Sequence, residues 1–382
     1  MITSQKHLFS LPEDSTYLNC AYMSPILKSV EQVGQEAMIK KRTPHQITVE
    51  DFFTDGEKLR VAFAKLINAE DPERIVTIAS VSYGIATVVN NISLEKGDEI
   101  IVADEQFPSN YYAWEKAANQ SGAILKTVTP PAELENRSKQ WNENILNTIT
   151  PKTKVVALAH VHWADGTLFN LIAIRKATKD VGALLIIDGT QSVGALPFDV
   201  QEIQPDALIC AGYKWLMGPY AIGVAYYGEY FDGGNPIEEN WINRKESQNF
   251  ANLVNYASEY QPGALRYGVG EQSNFILVPM MIEAISQLNE WQPQNIQDYC
   301  KSISDEAVSS LRTAGFHIED DAYRGKHLFG IRTPKHLDIE SINQKLKTAE
   351  IYVSIRGSAI RVAPHLYNSK EDFDGLLDCL ID

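Results

Sequence analysis

From residue 74 to 227 the chain alternates short, continuously apolar runs with longer helix-like segments, and few folds accept that pattern. RIVTIAS, EIIVAD, KVVALAH, ALLIID, DALICAG and AIGVAYY read as strands. Between them SYGIATVVNNI, NYYAWEKAANQSG and NLIAIRKATKDVG read as helices, the second N-capped near Ser109 and the third closed by Gly182. Strands that are apolar at every position are buried on both faces, as in a mostly parallel sheet covered by helices. Ligands of such sheets collect beyond the carboxyl ends of the strands. The polar stretches 129–138 and 228–248 read as loops.

Past about residue 275 the pattern changes. Long helices are expected over 275–290 and 296–314, then short strands in FHIED, HLFGIRT, EIYVSI and AIRVAPH, with helices near 339–349 and from about Lys370. The expected architecture is therefore α/β with two domains. A large domain with a mostly parallel sheet spans 21–274. A small C-terminal α/β domain spans 275–382, with residues 1–20 packed on it. A chain of 382 residues suits two domains, and the cleft between them is a usual place for a ligand.

Charge narrows the partners. Lys and Arg number 34 against 49 Asp and Glu, a net charge of −15. A surface that acidic repels phosphate backbones and anionic lipid, so neither a nucleic acid nor a membrane partner is expected. No apolar run approaches the ~18 residues of a membrane span, and MITSQKHLFSLPEDS lacks the apolar core of a signal peptide. Cys20, Cys210, Cys300 and Cys379 are scattered without metal-ligand spacing. The expectation is a reduced, cytoplasmic protein with no metal site.

The residues after each strand form a coherent chemical list. Ser80-Val81-Ser82 opens a helix, where backbone N–H groups and a hydroxyl make a seat for a phosphate; a plain serine cap is the simpler alternative. Asp188 ends a buried strand and needs a hydrogen bond or a cation to stay charged, although it could merely cap the next turn. Lys214 follows another buried strand, between Tyr213 and Trp215. Burial would lower its proton affinity and make it an imine-forming nucleophile, unless it snorkels to solvent. Phe107 supplies an aromatic plate. His160 and His162 share a strand face if the strand runs that far, His160 being the more readily explained by packing. An anion seat, a carboxylate, a lysine and an aromatic on one sheet edge suit pyridoxal 5′-phosphate.

These motifs, above all DGTQSVGALPFDV and DALICAGYKWLMGPYAIG, resemble the class V aminotransferase family of fold-type I pyridoxal-phosphate enzymes. Cysteine desulfurases, kynureninases and isopenicillin-N-epimerase-like proteins belong to it. The likeness runs from TYLNCAYMSP, 16–25, to YNSKEDFDGLL, 367–377. It implies that Lys214 forms the internal aldimine and that Asp188 pairs with the pyridine nitrogen. Gln191 would lie near the ring hydroxyl, with Phe107 on the ring face. Val81, Ser82 and Tyr213 would hold the phosphate, His162 would assist beside the ring, and Arg361 would grip a substrate carboxylate, with Arg356 and Arg266 as rivals. It also implies a homodimer in which 271–274 reaches the partner's phosphate. Three departures stand out. Ala211 occupies a position where desulfurases often carry serine, Trp163 one where they carry asparagine, and the Ser354-Ile355-Arg356-Gly357-Ser358 connection has no nucleophilic cysteine.

The expected function is a pyridoxal-phosphate enzyme acting on an amino acid or amine through a Cα carbanion, an aminotransferase by family default. A C–S lyase or epimerase is the alternative, and a non-catalytic cofactor-binding relative a further one. A zinc hydrolase is the rival class, because His160-Val161-His162-Trp163-Ala164-Asp165 resembles an HxHxD motif. No GxGxxG follows the first strand, which argues against a dinucleotide oxidoreductase.

Overall fold

The computed structural model describes residues 2–381. In chain order, β1 (Thr16–Tyr17), α1 (Lys28–Lys40) and α2 (Thr54–Leu66) precede the repeating core. That core runs β2 (Ile75–Ile78), α3 (Val81–Asn90), β3 (Glu99–Ala103), α4 (Tyr112–Ser121), β4 (Ile124–Val128), α5 (Arg137–Thr148) and β5 (Thr153–Ala159). It continues through α6 (Leu171–Val181), β6 (Leu184–Asp188), α7 (Val200–Ile203), β7 (Ala207–Ala211) and β8 (Gly223–Tyr227). The remainder comprises α8 (Leu277–Trp291), α9 (Pro293–Thr313), β9 (Phe329–Arg332) and α10 (Ile339–Thr348). β10 (Ile351–Tyr352), β11 (Ser354–Arg356), β12 (Ala359–Val362) and α11 (Lys370–Ile381) close the chain.

The central sheet has seven strands in the order β2-β8-β7-β6-β5-β3-β4. All neighbours are parallel except β8, which runs antiparallel to β2 and β7. Every residue of β3, β6 and β7 is buried, as runs without polar alternation require. Helices on both faces complete the burial and leave an apolar cluster on each side of the sheet. The strand order reverses between β3 and β5. This is the switch point at which a doubly wound sheet opens a crevice beyond its carboxyl ends.

A second sheet, β11-β12-β9, is antiparallel. In the N-terminal segment, β1 pairs with β10, and Asn19 bridges Ala363.

Three local expectations are corrected. Helix α4 starts at Tyr112, after a 3-10 turn over Pro108–Asn110, and Ser109 is not its cap. β5 stops at Ala159, so His160 and His162 do not share a strand face. The FHIED segment contributes only an isolated bridge, His317 to Arg332. Neither β4 nor α5 is expected from the sequence. β4, ILKTV, is an edge strand largely open to solvent, and such a strand lacks the continuous apolar run of its neighbours.

Candidate active site

The sheet's carboxyl edge encloses a cavity of about 350 Å³. Its walls include Ser80, Val81, Ser82, Phe107, Ser109, Trp163, Asp188, Gln191, Tyr213, Lys214 and Tyr220. Seven positions singled out in the sequence thus meet in one space.

At one end of the cavity is the first turn of α3. The Ser80 hydroxyl accepts from the Tyr83 N–H (3.2 Å) and lies 2.9 Å from the Ser82 hydroxyl. Unsatisfied N–H groups and the helix dipole favour an anion there. Gly84 brings this helix down onto the sheet. A Cβ at that position would fall 2.9 Å from Ile209 Cγ2 and 3.1 Å from Ile78 Cδ1. Tyr213, also in the lining, packs against Tyr220 at 4.6 Å.

In the middle, Asp188 is buried at the end of β6. It accepts the Thr190 N–H at 3.0 Å, and Thr190 in turn accepts the Ala211 N–H through its hydroxyl at 3.1 Å. Burial raises the carboxyl's proton affinity, opposed by the hydroxyl and N–H of Thr190 and by the charge of Lys214. Lys214 lies three residues past the end of β7 and is 7% exposed. Burial lowers its pKa to about 8, against the pull of Asp188 and with help from Arg361 and Arg356. Its Nζ lies 5.3 Å from the centre of the Phe107 ring and 5.6 Å from that of Tyr213.

Four predicted residues are placed differently. Gln191 lines the cavity, but its amide donates to Ala21 O (3.1 Å) and accepts from the Trp215 indole N–H (2.8 Å). One amide N–H remains for a ligand. His162 is wholly buried and outside the lining. Its Nε2 faces Glu105 O at 3.1 Å and its Nδ1 faces Asp165 at 3.2 Å, with Trp141 against the ring. The expectation that His162 touches a cofactor is therefore corrected: it props the Glu105 carbonyl that also receives the Trp163 indole N–H at 2.7 Å. Arg266 is tied to the carbonyls of Gly263 and Gly234, away from the cavity. Arg361 is 1% exposed. It donates to Trp163 O at 2.8 Å and to Ser354 Oγ at 3.4 Å, while its Nε has no partner.

Thr190, Ser109 and Tyr220 are cavity residues assigned no part in the site from the sequence. Thr190 had a signal, since a hydroxyl two residues after a buried carboxylate can fold back onto it. Ser109 and Tyr220 had none.

The HxHxD string does not assemble a metal centre. His160 turns to Phe198 at 5.5 Å, while Asp165 is paired with Arg137 and Arg332, each at 2.7 Å. Two guanidiniums on the carboxylate leave no place for a divalent cation. All four cysteines are buried, and burial pushes the Cys20 thiol up to about 12.

The residues fit pyridoxal 5′-phosphate on this chain's own evidence. Among the described residues Asp188 is a buried carboxylate with no basic side chain at ion-pair distance, and only the charge of Lys214 favours its ionised form from afar, so a pyridinium would complete it. Val81, Ser82 and Tyr213 suit its phosphate, Phe107 its ring, and Lys214 its aldehyde. Fold and site together define a fold-type I pyridoxal-phosphate enzyme.

Comparison with known proteins narrows this. The family model described as aminotransferase class-V matches residues 40–372, and the chain belongs to that family, whose cofactor is pyridoxal phosphate. An uncharacterized aminotransferase of Bacillus subtilis, YcbU, is 25% identical over 98% of this chain and 95% of its own length. A probable cysteine desulfurase of Staphylococcus aureus is 25% identical over 87% of this chain and 82% of its own length. Among solved structures, the cystine C–S lyase C-DES, in complex with cysteine persulfide, matches with a TM-score of 0.84 at 22% identity, covering 97% of this chain and 98% of its own. The Escherichia coli cysteine desulfurase CsdA gives 0.79 at 20% identity, covering 98% and 96%. At those identities the structural likeness establishes the fold.

Proposed function

We propose that this protein is an aminotransferase acting on an α-amino acid, with Lys214 as the residue that holds the cofactor and then moves the substrate's Cα proton. The observation that carries the reading is a buried Lys214 with a depressed pKa beside the buried carboxylate of Asp188 in one cavity. When bound, the cofactor supplies an electron sink for negative charge at Cα. The protein's own residues do the rest.

Asp188, braced by Thr190, fixes a negative charge where a ring nitrogen would lie, and burial strengthens that interaction. The first turn of α3 fixes the phosphate end, together with Tyr213. Phe107 would cover one ring face, with Trp163 edge-on to it at 5.5 Å. Arg361 presents a planar fork to the substrate carboxylate. Lys214, once its amine is free, is a base at Cα whose pKa of about 8 lets it take and return a proton near neutrality. A homodimer, a cytoplasmic location and the division at about residue 275 are part of the same reading.

The test is product analysis with Lys214→Ala as control. Purified enzyme given an amino acid and a keto acid should exchange the amino group, and the variant should lose at least about a thousandfold in rate. Ammonia released in step with keto acid would instead indicate elimination, the chemistry named for C-DES. Wild-type exchange by the variant would remove Lys214 from the mechanism.

A further inference from the structure

The hairpin that carries Arg361 carries another arginine on the same face. Ser354 pairs with Arg361 and Arg356 with Ala359. Side chains two apart on a strand point the same way, so Ser354, Arg356 and Arg361 share one side. The turn is only Gly357-Ser358, with Gly357 at φ +54°, a tight connection that leaves the strand ends little slack. It is also braced: Arg332 donates to Ser358 Oγ at 3.1 Å and to Asp165 at 2.7 Å. Arg356 is therefore held on a strand end.

Its guanidinium lies 5.6 Å from the centre of the Trp163 ring, which walls the cavity beside Phe107. One N–H donates to Ile355 O at 2.9 Å, and Nε is buried without a partner. Arg137 and Arg332 share one carboxylate, Asp165. Among the described residues neither Arg356 nor Arg361 has a carboxylate at ion-pair distance. In a chain of net charge −15, two adjacent guanidiniums without an acid are conspicuous. Burial and the repulsion of Arg356 bring the Arg361 pKa down to about 10, and both arginines lower that of Lys214. Like charges held together in a partly desolvated site are unfavourable until an anion joins them.

We propose that Arg356 is a specificity-determining residue that binds an anionic group on the substrate's side chain, making the amino donor an α-amino acid with an acidic side chain. The two carboxylates divide between Arg361 and Arg356. This rests on the reading of Lys214 and Arg361 given above. A guanidinium held over an indole and tied to a backbone carbonyl is oriented before the ligand arrives, so little side-chain freedom is lost on binding.

Two measurements on the purified holoenzyme test it. The first is calorimetric binding of succinate and propionate, inert acids that differ by one carboxylate. Succinate should bind about 10-fold tighter or more. Arg356→Gln should erase that preference, Arg356→Lys should restore part of it, and Arg361→Gln should weaken both acids. Equal binding of the two acids by the wild type, or a succinate preference that survives Arg356→Gln, overturns the proposal. The second is the absorbance change on adding L-aspartate or L-alanine, whose ratio of kcat/KM should favour aspartate and collapse in Arg356→Gln. An unchanged ratio overturns the proposal too. Should no amino acid alter the spectrum while the succinate preference holds, the Lys214 reading fails and the dicarboxylate seat stands.

Discussion

Lys214 works because of where its charge cannot go. Burial and two arginines disfavour its ammonium, and Asp188, with a smaller contribution from Cys20, pulls the other way. With a pKa of about 8 in the cofactor-free protein, the neutral amine gains about tenfold for each pH unit below that value and levels off above it. The rate of covalent capture of added pyridoxal phosphate by apoprotein should therefore rise through pH 7 and flatten just above 8. A rate still climbing tenfold per unit at pH 10 would mean an unperturbed lysine. Both Lys214 and Asp188 are legible in the sequence, because each follows an unbroken apolar run that can only be a buried strand. Ser109 and Tyr220 are not, since their place depends on how loops fold back over the edge. His162 misleads for the same reason: β5 ends before it, and the ring turns toward Trp141 instead of the cavity.

Helix α3 sets the anion seat, and its height above the sheet is fixed by Gly84. Its Cα faces Ile209 and Ile78 so closely that a methyl would stand 2.9 Å from a branched carbon of a buried strand. Gly84→Ala should cost about 1–3 kcal/mol in urea denaturation and should loosen cofactor retention on dialysis, because the first turn must lift. A variant as stable as the wild type would show that the helix has room. The central strands are readable from composition because burial on both faces demands apolar residues throughout. The edge strand β4 is not, because half of it meets solvent. Its neighbour α5 is masked by polar residues, though its buried Trp141 donates to Val128 O at 2.7 Å.

At the scale of the molecule, three buried histidines couple the fold to acid. Burial depresses His160 and His365 to about 3 and His327 to about 4. Unfolded, each titrates near 6.5. Between that value and roughly pH 4 the unfolded chain holds protons that the folded one lacks, so stability falls as pH drops through this window. Each histidine contributes about 1.4 kcal/mol per pH unit. His365, with neither ring nitrogen bonded, is the cleanest probe. His365→Phe should flatten the slope of stability against pH between about 6 and 4 by roughly a third. An unchanged slope would place the acid sensitivity elsewhere. Asp165 does not contribute there, since His162, Arg137 and Arg332 hold its carboxyl far below the usual range. It stays charged and keeps the Trp163 loop joined to β9 through Arg332.

The central claim is that Lys214, alone among this chain's lysines, carries the cofactor. Borohydride reduction of the protein with bound pyridoxal phosphate, followed by mass mapping of its peptides, tests that claim directly. A stable pyridoxyl adduct is expected on the peptide containing Lys214 and on no other. An adduct confined to a different lysine, or none at all, would contradict it.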